Sequence, residues 1–197
     1  MQFKVFESGI ENSGESVGAI VDGFKKFPTI AQKYMCKYGF LKPNQTLADL
    51  DRTRWYSEES WLQAFEAISN EVGLNSLYGV GKAMIENAVL PPQICDVPSA
   101  LGSLDVAYHM NHRKKGVIMF DPQTGMMLEG IGHFVATVDA AEKRVVVVSN
   151  TPYPCDFERG IVGGFASRFD PNARTVHDSN APCRKKGAES CTYVTWW

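Results

Sequence analysis

The hydrophobic pattern changes period near Ala107, and that change limits the folds open to the chain. Upstream, apolar residues recur at steps of three and four. Val17, Ile20, Val21, Phe24 and Phe27 make one such stripe; Trp61, Leu62, Phe65, Ile68 and Val72 make another. A helix places residues at that spacing on one face. The spacing predicts helices over 13–27, 30–38, 57–72, 76–88 and 98–106. Ser57 suits the start of the third and Gly73 its end. Downstream the chain reads as strands: 116–120, 126–138, 143–149, 174–177 and 192–197. Asp121-Pro-Gln-Thr-Gly125 has turn chemistry, and 139–142 reads as a hairpin loop. One helix interrupts at 156–169, where Phe157, Ile161, Phe165 and Phe169 fall four apart. The expected fold class is α+β, with a helical N-terminal half packed on a C-terminal antiparallel sheet of about four to five strands. It is read as one domain over 1–197, with 1–106 mainly helical and 107–197 mainly sheet.

Composition narrows the function classes. Hydrophobic residues make up 44% and charged residues 21%, which is ordinary for a globular chain. The net charge of −2 gives no reason to expect nucleic acid or an anionic membrane surface. No apolar run approaches the roughly 18 residues a membrane span needs. The N-terminus lacks the basic and apolar regions of a signal peptide, so a cytoplasmic location is expected. In that compartment five cysteines favour thiols or metal over structural disulfides.

Three of those cysteines fall in the last 50 residues: Cys155, Cys183 and Cys191. Cys155 follows Tyr153-Pro154, where a strand gives way to a helix, and a helix N-terminus favours a thiolate. Cys183 and Cys191 bracket a polar loop whose ends can meet. Zinc takes four sulfur or nitrogen ligands, and His177 or Asp178 is near enough in sequence to be the fourth. Inert buried thiols and a Cys183–Cys191 redox pair are the other readings.

The string C-R-K-K-G-A-E-S-C-T-Y-V, from Cys183 to Val194, resembles the C-terminal signature of 4-vinyl reductase-type domains. These include the sensor domains of phenol-responsive transcription activators. Heme-nitric-oxide-binding domains end in a similar C-x3-G-A-x2-C string. In the sensor branch the resemblance implies an α+β domain, a homodimer, a buried pocket for a small apolar ligand and a zinc held by three cysteines and a glutamate. Cys155, Cys183 and Cys191 match the cysteines. The glutamate position holds Asn180, so His177 stands in as the expected fourth metal ligand. The Tyr-x-Ser-x-Arg pattern typical of heme-nitric-oxide domains is absent, and on that ground zinc is favoured over heme.

Candidate ligand-binding residues are Trp61, Tyr108, His109, His112, His133 and Phe134. On a helix His109 and His112 would share one side; on a strand they would point to opposite faces. No serine elbow, phosphate loop or HExxH string is present, so an enzyme is the less favoured class. The expectation is a sensory or regulatory module for a small hydrophobic or aromatic ligand, with a cysteine clasp, a homodimeric assembly and a separate signalling partner. Two alternatives are a small enzyme, doing tetrapyrrole-related reduction or thiol chemistry at Cys155, and a heme-based gas sensor.

Overall fold

The computed structural model describes residues 2–86 and 88–197. It has the α+β architecture expected. Helices α1 (Gly14–Gly23), α2 (Pro28–Lys37), α3 (Glu58–Val72) and α4 (Leu77–Glu86) fill most of the N-terminal half. Then α5 (Val97–Gly102) and α6 (Leu104–Met110) lead into the strand-rich part, where α7 (Cys155–Phe169) is the one long helix among the described residues. The caps follow the sequence. Ser13 and Ser57 accept from the backbone N–H three residues on, at 3.1 and 3.3 Å. Asp96 does the same for Ser99 at 2.8 Å. Where one helix over 98–106 is expected, Ser103 separates two, and the second runs on to Met110.

The strands form two antiparallel four-stranded sheets. One joins β1 (Ile10–Ser13), β2 (Trp55–Ser57), β3 (His112–Lys114) and β4 (Val117–Ile118) in the order β2-β1-β3-β4. Only β4 falls within an expected strand, 116–120. The strands of this sheet are short and draw on distant parts of the chain. Lys115 and Gly116 link β3 to β4 with φ of 52° and 82°, the left-handed pair that a two-residue hairpin favours.

The other sheet joins β5 (Phe134–Asp139), β6 (Arg144–Ser149), β7 (Arg174–His177) and β8 (Cys191–Trp196) in the order β5-β6-β8-β7. Alternation sets its faces. Val145, Val147, Cys191 and Tyr193 point inward and are buried, while Val135, Val148 and Trp196 are exposed.

Helix α7 ties these parts together. Gly81 of α4 faces the Phe157 carbonyl, and Gly160 of α7 faces the Tyr78 carbonyl, so the two backbones touch where side chains would stand. Phe157 packs into the N-terminal core with Phe65, Trp61 and Leu62. Val162, Phe165 and Ala166 of the same helix pack with Val145, Val147 and Tyr193 of the second sheet. Among the described residues no helix is long and apolar enough to cross a membrane.

Candidate functional site

A cavity of about 530 Å³ lies where these layers meet, within the range of small-molecule sites. Its walls come from α1 (Ala19, Ile20), the end of α4 (Met84, Ile85), α6 (Leu104, Ala107, Tyr108, Asn111) and α7 (Phe157, Ile161, Phe165), closed by His112, Phe134 and Tyr153. Arg52 is the cation on this wall, paired with both oxygens of Asp22 at 2.7 and 2.9 Å.

Three of the six candidate ligand-binding residues line this cavity: Tyr108, His112 and Phe134. The Tyr108 hydroxyl donates to the Ile131 carbonyl at 2.9 Å, and burial pushes it well above the usual phenol range. His112 is 1% exposed. Its Nδ1 lies 2.7 Å from the Tyr108 carbonyl, which fixes the proton there and leaves the lone pair on Nε2. That Nε2 is buried and makes no hydrogen bond among the described residues. The nearest carboxylate oxygen, Glu58 Oε2, is 3.6 Å away.

The other three lie elsewhere. Trp61 stacks on Phe65 in the N-terminal core, ring centroids 5.5 Å apart. His109 sits in the last turn of α6 and His112 opens β3, so the helix ends between them and their side chains part company. His109 turns instead toward His133, their rings stacked with centroids 4.9 Å apart. Asp105 joins them, with Oδ2 at 2.9 Å from His133 Nδ1. Sequence reasoning missed Asp105, although its i, i+4 spacing from His109 on a helix is a usable signal.

The four candidate metal ligands come together. Donor atoms of Cys155, His177, Cys183 and Cys191 all lie within 4.8 Å of one another. Cys155 Sγ is 3.2 Å from Cys191 Sγ and 3.7 Å from Cys183 Sγ. Cys155 and Cys191 share a hydrogen bond, and that bond, with help from His177 and the Arg184 backbone N–H, pulls Cys191 down from the usual thiol range. Cys155 is raised by the same bond and by burial.

Beneath this cluster lies an ion pair that the sequence does not single out. Arg184 bonds Glu158, with side chains 1% and 0% exposed. Ser149 and Tyr193 donate to the same carboxylate at 2.8 and 2.7 Å, and Thr151 adds a third hydroxyl. Burial pushes Glu158 up, and Arg184 and these hydroxyls pull it back.

No protein-family model matches the chain, and no curated protein matches it significantly. Solved structures do match. A structure determined to probe heme distortion in the H-NOX family has a TM-score of 0.65 at 13% identity, covering 94% of each chain. A point mutant of T. tengcongensis H-NOX has 0.64 at 12%, covering 93% of this chain and 96% of that one. An H-NOX protein from S. oneidensis, in its Fe(II)NO ligation state, has 0.59 at 11%, covering 90% and 97%. At such identities the likeness establishes the fold. It also corrects the cofactor expectation: the neighbours of this fold are heme proteins, where the sequence points to zinc and away from heme.

Proposed function

We propose that the chain is a heme-based sensory module for a small gas ligand, with the 530 Å³ cavity as its site. The observation that carries this reading is His112: a buried imidazole on an otherwise largely apolar wall, with Nδ1 held by a backbone carbonyl and Nε2 making no hydrogen bond among the described residues, Glu58 Oε2 lying 3.6 Å off. A histidine that donates Nδ1–H to a backbone carbonyl is oriented to give its other nitrogen to a metal. Bound heme would supply an iron able to take a diatomic ligand. The chain's own part is to hold and shield. His112 would hold the iron. Leu104, Phe157, Ile161 and Phe165 would exclude water from the ring. Arg52, freed from Asp22, would be the cation to meet a propionate.

The wider expectation, a module for a small apolar ligand, shares this cavity and differs in its occupant. The 4-vinyl reductase-type resemblance rests on the closing cysteine segment alone. A homodimer draws support from the exposed Val135, Val148 and Trp196 on the outer face of the second sheet. One domain over 1–197 draws support from α7, which packs into both cores.

His112→Gly tests the assignment. Reconstituted with hemin and reduced, the variant is expected to lose the absorption of histidine-ligated iron and to regain it when imidazole is added. An unchanged spectrum in the folded variant would remove His112 from the role.

A further inference from the structure

Asp105, His109 and His133 lie on the side of α6 turned away from the cavity, and nothing in the sensory reading uses them. We propose that these three residues, with Glu129, form a second site that binds a divalent first-row transition-metal ion and clamps α6 to the start of β5.

Geometry supports the site at four points. Asp105 and His109 are one turn apart on α6, and His133 immediately precedes β5. One donor atom from each of the three lies within 4.8 Å of the others. His109 is 0% exposed and its Nδ1 lies 2.8 Å from the Asp105 backbone carbonyl, so the lone pair is on Nε2. That Nε2 is buried and makes no hydrogen bond among the described residues. The network around His133 therefore does not account for it. An imidazole whose Nδ1–H is held by a carbonyl is a preorganised ligand for a metal at its other nitrogen.

Glu129 supports the set from behind. Its Oε2 is 3.1 Å from His133 Nε2, across the ring from Asp105, so it holds a proton on Nε2 and leaves Nδ1 to face an ion. Two imidazoles and one carboxylate make a mixed nitrogen and oxygen donor set, which suits a borderline divalent ion. The charge also balances. A dication stands against the two carboxylates, Asp105 beside it and Glu129 behind His133.

The site has a route to the cavity without being part of it. Leu104, Ala107 and Tyr108 of α6 line the cavity, and so does Phe134, next to His133. The Asp105 carboxylate already accepts from the Phe134 backbone N–H at 3.0 Å. An ion here would fix the distance between two cavity walls.

Equilibrium dialysis of the purified chain against nickel(II), with metal per chain counted by elemental analysis, tests the proposal. Wild type is expected to bind one more equivalent, saturably, than His133→Gln. Glu129→Ala, at an exposed position where folding is not at risk, is expected to weaken that equivalent by about 10–100-fold. The cysteine cluster is untouched in both variants, so nickel held there appears equally in all three proteins. If both variants match wild type in stoichiometry and affinity, the site does not exist.

Discussion

Two buried ionisable residues illustrate how single side chains set this structure. Glu158 and Arg184 face each other with side chains 0% and 1% exposed, between α7 and the loop that carries Cys183. Breaking a buried pair leaves an uncompensated charge, which costs more than the pair contributes. Arg184→Met is therefore expected to lower unfolding free energy by about 3–5 kcal/mol in urea titration. Arg184→Met with Glu158→Gln, which removes the charge and keeps an acceptor for the Ser149, Thr151 and Tyr193 hydroxyls, should recover most of it. A loss within about 0.5 kcal/mol for the single variant, the range of an ordinary surface change, would mean that the pair is not buried in solution. Neither residue stands out in the sequence. Arg184 reads there as one more base in Arg184-Lys185-Lys186, and only the fold, by setting it beside Glu158 and Tyr193, separates it from its exposed neighbours. The cysteines are the opposite case. Their types and spacing alone bring Cys155, Cys183 and Cys191 to attention. Helix position singles out Cys155, but it leaves out the hydrogen bond that Cys155 shares with Cys191.

Among the elements, the long helices are legible because period and caps agree. For α3 the stripe from Trp61 to Val72, the Ser57 cap and the closing Gly73 all point to one segment. Ser57→Ala is expected to cost about 0.5–2 kcal/mol by thermal unfolding, the usual range for an N-cap. An unaltered midpoint would show that Ser57 does not cap α3. Of the β2-β1-β3-β4 sheet only β4 is legible, inside the strand expected over 116–120; strands of four, three and three residues carry too little period to register. The α4–α7 crossing is partly legible: the glycines of α4 suggest close packing, but not their partner. An alanine Cβ at Gly81 would meet the Phe157 carbonyl oxygen, which is backbone and cannot yield cheaply. Gly81→Ala is expected to cost about 1–3 kcal/mol in chemical denaturation, as overpacking does. A variant as stable as wild type would rule out this close crossing.

For the whole molecule, the layout explains why the cavity lies where it does. The N-terminal core, built on Trp61 and Phe65, and the core under the second sheet, built on Val145, Val147 and Tyr193, are both reached by α7. Helices α4 and α6 cover the remaining sides, and the space left between them is the cavity. The change of period is enough to predict α+β, but it cannot show this enclosure, because His112, Phe134 and Phe157 come from three separate elements. The same distance in sequence hides the pairing of Asp105 with His133. The proposed occupant of this enclosure is heme. Titration of the heme-free chain with hemin, followed by visible absorption, tests it most directly. The predicted result is a band that saturates at one heme per chain in wild type and is lost in Ala107→Trp, which fills the cavity from α6. A band that grows without saturation, or one that Ala107→Trp leaves unchanged while the chain stays folded, would contradict it.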